Sequence, residues 1–370
     1  MAYTTIDKPT DHFNIVTYTG NATDGRAVTG VGFQPDLNII KSRSTTDKWW
    51  WSDSIRGASN EINSEDNQDE QNKTDAHQSF DSDGFTVGTR GSVNGNGTSY
   101  CSWNWLAAGS NTTDTTGTKS CTRRSNATAG FAMLQYNADE SSFYTVGHGL
   151  NSKPELVIAR ARVGAAAWGV YYTVRGVNTN WARLNTVDPQ GTNNGEPDAR
   201  GRSASDAGFA GTYIETSANL VYINNSAFAS DGTGNNIMYV FHSVKGYSKI
   251  GEYTGNNSTN GTFVHLGFRP AFLMIKRIDN NGAWLIYDSA RYPENKATGP
   301  NKLYWNEGGT EDSSTDPSGD TASTNMIDFL SNGFKLRSNN SYTNTVEDYI
   351  YYAVAENPFV SSGGVPVTAR

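Results

Sequence analysis

The chain repeats one sequence pattern three times. In each copy a tyrosine, a proline, a tryptophan and an arginine recur in the same order, and the tryptophan and arginine follow the proline by fourteen and twenty-one residues. The three sets are Tyr18, Pro35, Trp49 and Arg56; Tyr136, Pro154, Trp168 and Arg175; and Tyr253, Pro270, Trp284 and Arg291. Two constant offsets in three copies predict three units of one shared fold.

Local composition predicts that each unit is built from strands. Each repeated proline precedes a short apolar run, at residues 37–40, 156–159 and 272–275. A short continuous apolar run is typical of a strand that is covered on both faces. With 38 glycines, 12% aromatic and 18% charged residues, the chain favours short strands and turns over helices. We therefore predict an all-β protein of three tandem antiparallel β-sandwiches, jelly-roll or lectin-like in type.

The spacing of the pattern also sets the expected boundaries. The repeats are expected at residues 12–109 (repeat 1), 130–245 (repeat 2) and 246–360 (repeat 3). Residues 110–129 are rich in Thr, Ser and Asn and are expected to be a flexible linker that lets repeat 1 sit apart from the other two. Residues 1–11 and 361–370 are expected to be terminal arms outside the cores.

Charge and cysteine content narrow the classes of function. The net charge of −8 disfavours a general nucleic-acid partner, because such a partner requires a cationic surface. We predict no membrane partner either, since no apolar run is long enough to span a bilayer and the amino-terminal residues lack the features of a secretory signal. Cys101 and Cys121 are too few for a disulfide framework and lack metal-ligand spacing, so we predict two free thiols.

Several longer motifs carry a resemblance to a known group of proteins. They are AYTTID at residues 2–7, GFQPD at 32–36, DSIRG at 53–57, AVAENPF at 353–359 and PVTAR at 366–370. In these the chain resembles tandem-repeat β-sandwich proteins of marine tailed phages, regarded as tail-fibre or other structural proteins of the virion. The resemblance implies a virion location after assembly in the host cytoplasm, and it supplies no catalytic residues.

The repeated tryptophans and arginines have two possible roles. Tryptophan faces can stack on sugar rings and arginine forks can bind carboxylates. Alternatively, the tryptophans fill the cores and the arginines bind loop carbonyls, which we favour because copies of one scaffold share their core residues. The stronger candidates for ligand or subunit contact are then the aromatic residues outside the pattern: Trp50, Trp51, Trp181 and Trp305.

No catalytic centre or cofactor site is predicted. None of the five histidines lies in a recognisable hydrolase motif, and the acidic stretch with Glu61, Glu65, Asp66, Asp69 and Glu70 is expected to be a solvated loop. No metal site is expected, and the segment 81–84 is predicted to be a tight turn before Phe85.

We therefore predict a non-enzymatic virion protein, either a tail-fibre or receptor-binding component or a capsid or neck decoration protein. A polysaccharide-degrading tailspike is the third alternative. The expected partners are other virion proteins, further copies of the chain in a homo-oligomer (a trimer first) and host-surface carbohydrate.

Overall fold

A computed structural model describes residues 3–137, 143–164, 166–173, 180–190, 212–213, 218–224, 235–292, 295, 302–311 and 326–367. Within these residues the structure is nearly all β, as predicted, and helix is confined to one 3-10 turn, Pro9–Asp11, and one short α-helix, α1, Gly91–Asn94. No helix in this part of the chain has both the length and the apolar character needed to cross a membrane.

Repeat 1 contains nine strands in two sheets. The larger sheet has the strand order β1-β9-β3-β4-β5-β6 and the smaller sheet β2-β8-β7. The strands are β1 Phe13–Thr19, β2 Arg26–Thr29, β3 Leu37–Ser42, β4 Trp50–Asp53, β5 Gly57–Ile62, β6 Gln71–Asn72, β7 His77–Asp81, β8 Gly84–Val87 and β9 Ser99–Trp105.

The second pair of sheets includes repeat 2 and the segment before it. The larger sheet has the order β10-β11-β12-β19-β14-β15-β16 and the smaller sheet β13-β18-β17. The strands are β10 Thr112–Asp114, β11 Cys121–Asn126, β12 Phe131–Asn137, β13 Phe143–Gly147, β14 Leu156–Ala161, β15 Gly169–Tyr172, β16 Asn180–Arg183, β17 Thr212–Tyr213, β18 Leu220–Asn224 and β19 Asn235–Phe241.

Repeat 3 holds the third pair, with the orders β20-β27-β22-β23-β24 and β21-β26-β25. The strands are β20 Ser248–Thr254, β21 Phe263–His265, β22 Phe268–Arg277, β23 Trp284–Asp288, β24 Leu303–Tyr304, β25 Ile327–Leu330, β26 Gly333–Leu336 and β27 Asp348–Pro358. In all three larger sheets the last strand of the repeat lies between its first strand and the strand at the repeated proline. The pairing is antiparallel in each ladder.

The strands at the repeated prolines are buried on both faces. In β3, Leu37 and Ile39 lie in one apolar cluster and Ile40 in another. Successive side chains of a strand point to opposite faces, so an unbroken apolar run places residues in two cores at once. β14 and β22 alternate in the same way, which confirms the prediction made from the apolar runs.

The two kinds of core differ in what they join. Each larger sheet packs on its smaller partner through its own cluster, as with Trp50 and Phe85 in repeat 1. The outer faces of the three larger sheets meet in one central cluster, which combines Trp103 of repeat 1, Tyr239 of repeat 2 and Phe272 of repeat 3. The repeats are therefore joined by a shared apolar core.

The turns before Phe85 and Phe334 share the pattern Ser-x-Gly-Phe, at residues 82–85 and 331–334, and the shared glycine has a steric cause. Gly84 connects β7 to β8 with φ at +144°, and a Cβ there would lie 2.0 Å from the Val28 carbonyl oxygen. A Cβ at Gly333 would lie 2.0 Å from the Val264 carbonyl oxygen. Only glycine allows so close an approach of two backbones, and the segment 81–84 is a turn, as predicted.

The prediction of a flexible linker at residues 110–129 is wrong. β10 and β11 lie within it, and β11 pairs along its whole length with β12. Arg124 forms an ion pair with Asp36 of repeat 1, and Asn126 Nδ2 donates to the Leu106 carbonyl at 3.2 Å. Polar composition suggested a coil, but Thr, Ser and Arg side chains also suit strands with one solvated face, here β10 at the edge of the sheet and β11 beside it.

The amino-terminal segment also differs from the expected arm. Ile6 is buried in the central cluster, and the Tyr3 hydroxyl donates to the Gly267 carbonyl at 2.8 Å. Asp7 accepts a hydrogen bond of 2.6 Å from the Ser362 amide, so the two terminal segments meet. The amino-terminal segment is therefore bound to repeat 3.

Candidate functional site

The three repeated tryptophans are fully buried in the central cluster, as the structural interpretation requires. Each lies at or just before the strand that forms a hairpin with the proline strand. Each indole N–H donates to a carbonyl of a different repeat: Trp49 to Tyr304 at 2.8 Å, Trp284 to Arg183 at 2.8 Å and Trp168 to Asn63 at 2.6 Å. The contacts run from repeat 1 to 3, from 3 to 2 and from 2 to 1, which closes a ring.

The repeated arginines are held by buried carboxylates within their own repeats. Arg56 Nε lies 2.5 Å from Asp53 Oδ2, and Arg291 Nε lies 2.6 Å from Asp288 Oδ2, with both pairs fully enclosed. Burial alone would lower the pKa of Arg56, but Asp53 and its other acidic neighbours raise it, so this side chain stays charged. Arg175 lies outside the described residues.

These carboxylates also receive donors from the neighbouring repeat. The Tyr239 hydroxyl donates to Asp53 at 2.8 Å, and the Trp103 indole donates to Asp288 at 3.1 Å. In repeat 2 Tyr172 replaces the aspartate, and its hydroxyl donates to Gln190 at 2.7 Å. The arginine–aspartate pairs are therefore joints between repeats.

A ring of backbone hydrogen bonds repeats this arrangement. Three amides donate to carbonyls of another repeat: Glu70 to Arg162 at 2.8 Å, Gln190 to Ile278 at 2.9 Å and Glu311 to Arg43 at 2.9 Å. The acceptors each lie eight residues after a repeated proline. Backbone donors must be satisfied when they are buried, so each repeat supplies what another lacks.

One set of repeated residues was not found from the sequence. Lys41, Arg160 and Lys276 each lie six residues after a repeated proline and are fully buried. Their cationic groups donate to carbonyls of another repeat: Lys41 to Gly308 at 3.1 Å, Arg160 to Asp66 at 3.2 Å and Lys276 to Val187 at 3.0 Å. The signal was present, because a cation ends each apolar run at the same offset.

These buried cations lie in surroundings that disfavour charge. Burial lowers the pKa of Lys276 to about 7 and that of Lys41 to about 8, although Asp188 and Glu65 respectively oppose the shift. Arg160 also stacks over Trp168, with its guanidinium carbon 5.7 Å from the ring centroid. Such groups hold loop carbonyls in place, and they lie too deep to meet a ligand.

Three of the four aromatic contact candidates are wrong. Trp51 and Trp305 lie in the central cluster with ring centroids 5.2 Å apart, and Trp50 lies between the two sheets of repeat 1. Alternation along β4 explains this, since Trp49 and Trp51 face one core and Trp50 the other. Trp181 lies in β16, where it pairs with Tyr171 of β15. The side chain of Trp181 lies outside the described residues.

The acidic stretch is only partly the solvated loop that we expected. Asp69 is exposed, but Glu61 is 7% exposed, and Glu70 binds Arg56 of its own repeat at 2.9 Å and Arg162 of repeat 2 at 2.5 Å. The prediction is wrong for these two glutamates, because Arg56 and Arg162 provide the counter-charges of Glu70, and Glu61 is held in a strand by a 2.6 Å hydrogen bond from Asn63 Nδ2. In the part of the chain that the structure covers, no group of three His, Cys, Asp or Glu side chains has the arrangement of a metal site. Cys101 and Cys121 are free and buried.

Comparison with known proteins gives a family but no activity. A family model described as Domain of unknown function (DUF7483) matches residues 8–358, which include repeats 1 and 2 and all but the last two residues of repeat 3. No curated protein matches the chain significantly.

Proposed function

The chain belongs to this family of domains of unknown function, DUF7483, and from that premise we propose that it is a non-enzymatic structural and interaction protein of a tailed-phage virion. Within the virion it would be part of a tail fibre or a receptor-binding component. The resemblance of its terminal and turn motifs to phage tandem-repeat proteins supports this proposal.

The proposal includes a finer account of the fold. The three pairs of sheets are three tandem sandwiches, arranged about the central cluster in a pseudo-threefold ring. One observation carries the functional proposal: the described repeated residues make contacts that hold this ring together. The tryptophans, arginines and buried cations bind carbonyls and carboxylates of the chain itself. Chemistry that is fully used in holding repeats together supports a scaffold rather than a catalyst.

The ring also changes how a homo-oligomer would form. The surfaces through which separate repeats would associate are occupied within one chain, so a trimer of chains would use other faces. Other virion proteins and host-surface carbohydrate are the remaining proposed partners.

A capsid or neck decoration protein is the second candidate, because a compact ring of sandwiches would serve equally as a clamp between subunits. Antibody labelling of intact particles by electron microscopy separates the two. Label on the tail is the expected result, and label on the capsid or neck favours decoration. Release of reducing ends from host polysaccharide, abolished by one Asp or Glu substitution, would replace both with a tailspike.

A further inference from the structure

A polar cleft of about 440 Å³ opens on repeat 1. It lies between the acidic stretch after β5 and the segment that contains α1. Its lining includes Glu61, Asn63, Gln71, Lys73, Arg90 and Ser92. None of these residues belongs to the repeated signature, so the cleft is distinct from the repeated positions that form the ring.

The deepest part of the cleft is rigidly built. Glu61 lies at the end of β5 and accepts a hydrogen bond of 2.6 Å from Asn63 Nδ2. The same amide group donates to the Trp49 carbonyl at 2.6 Å, which ties the cleft to the buried ring. Burial raises the pKa of Glu61, while Arg90, Lys48 and Lys73 oppose that shift. A carboxylate that is fixed in this way is preorganised to accept hydrogen bonds.

Two further groups in the lining lack partners. Ser92 is 9% exposed, and its buried hydroxyl has no hydrogen-bond partner among the described residues. Lys73 is half-buried, and within the same residues its ammonium group makes no ion pair, whereas Lys48 and Arg90 pair with Asp66 and Asp75. A buried hydroxyl without a partner is uncommon in folded proteins and points to a ligand or ordered water.

We propose that this cleft binds a saccharide that carries a carboxylate. Carboxylate, amide and hydroxyl groups together offer both acceptors and donors, which adjacent sugar hydroxyls need. The ammonium group of Lys73 would pair with the sugar carboxylate. A polynucleotide is disfavoured because its many phosphates would meet Asp47 and Glu61, which also line the cleft, whereas a single sugar carboxylate needs only Lys73. An apolar ligand is disfavoured by the polar walls. This inference rests on the proposed receptor-binding function and gives it a site.

An array of oligomers of acidic bacterial surface polysaccharides tests the proposal, with each oligomer printed beside its carboxyl-reduced form. The full chain should bind at least one acidic oligomer and lose about tenfold or more in affinity for the reduced form. Lys73→Ala should cause a similar loss for the acidic oligomer and little change for the reduced one. Glu61→Gln should weaken both, because it acts on hydroxyls.

Lys8→Ala removes an exposed ammonium group outside the cleft lining and should bind like the unmodified chain. Equal thermal midpoints for Lys73→Ala and the unmodified chain would show that folding is intact. Binding that survives both cleft substitutions would overturn this site and leave the receptor-binding function standing. Absence of binding to every acidic oligomer would overturn the cleft proposal, while particle labelling tests the virion location independently.

Discussion

The indole N–H of Trp168 donates a 2.6 Å hydrogen bond to the backbone carbonyl of Asn63, which belongs to a different repeat. Trp49 and Trp284 make the equivalent bond to the two remaining repeats. A contact of this kind packs the core of one repeat and also holds that repeat against its neighbour. In a closed ring, each repeat presents one surface and receives another, as in a cyclic trimer of separate chains.

The first prediction concerns the core. Trp284→Ala should lower the free energy of unfolding by about 3–5 kcal/mol, through a cavity and the loss of burial. Trp284→Phe keeps part of the apolar packing but removes the donor to Arg183, and it should cost about 1–3 kcal/mol. Chemical denaturation measures both changes. A change within about 0.5 kcal/mol for the alanine variant would mean that the tryptophan is exposed and free for another role.

The second prediction concerns the buried joint between repeats 1 and 2. Asp53→Asn leaves the charge of Arg56 without its main partner and should cost about 3–5 kcal/mol. Tyr239→Phe removes a hydroxyl that donates to Asp53 and accepts from Arg56, while both charges stay in place, and it should cost about 1–2 kcal/mol. Asp11→Asn is the matched control, because Asp11 pairs with Lys8 at the surface and its loss should cost about 1 kcal/mol or less. Equal losses for Asp53→Asn and Asp11→Asn would contradict a buried joint.

The third prediction is a pH dependence. The pKa of Lys276 is lowered to about 7 in the folded chain, whereas the unfolded chain keeps the ordinary value of 10.5. Between these values the unfolded state binds more protons than the folded state, so the contribution of Lys276 to stability rises with pH.

Lys276→Met lacks this titration, so the stability of the unmodified chain relative to the variant should rise from pH 7 to pH 10. The rise should be on the order of a few kcal/mol. Lys41→Met should show a smaller rise that begins near pH 8, since the pKa of Lys41 is lowered to about 8. Denaturant unfolding at fixed ionic strength gives both curves. Flat differences across this range would mean that solvent reaches these ammonium groups.

The sequence allowed the strands of the apolar runs and the burial of the repeated tryptophans to be predicted, because these depend on local pattern. It did not allow the shared core to be predicted. An apolar run with both faces covered does not say whether the second cover is a sheet of the same repeat or of another. Trp51 and Trp305 were misassigned for this reason, since a core that joins repeats consists partly of residues that the repeats do not share.

The role of the buried cations was not predicted, for a different reason. Lys41 and Lys276 look like solvated ends of strands, because a lone lysine carries no sign of what faces it. Only their common offset from the proline indicates a structural role, and their acceptors lie in loops of other repeats. The cleft at Glu61 was not predicted either. A run of acidic residues is normally predicted to be exposed, and only the fold shows which of its carboxylates are buried.

Differential scanning calorimetry of the full chain tests the central claim most directly. If the three repeats share one core, they should unfold together, with a calorimetric enthalpy about equal to the van't Hoff enthalpy. Sandwiches that fold independently would give separate transitions, or a calorimetric enthalpy about three times the van't Hoff value. That second result would contradict the shared core and, with it, the assignment of the repeated residues to the ring.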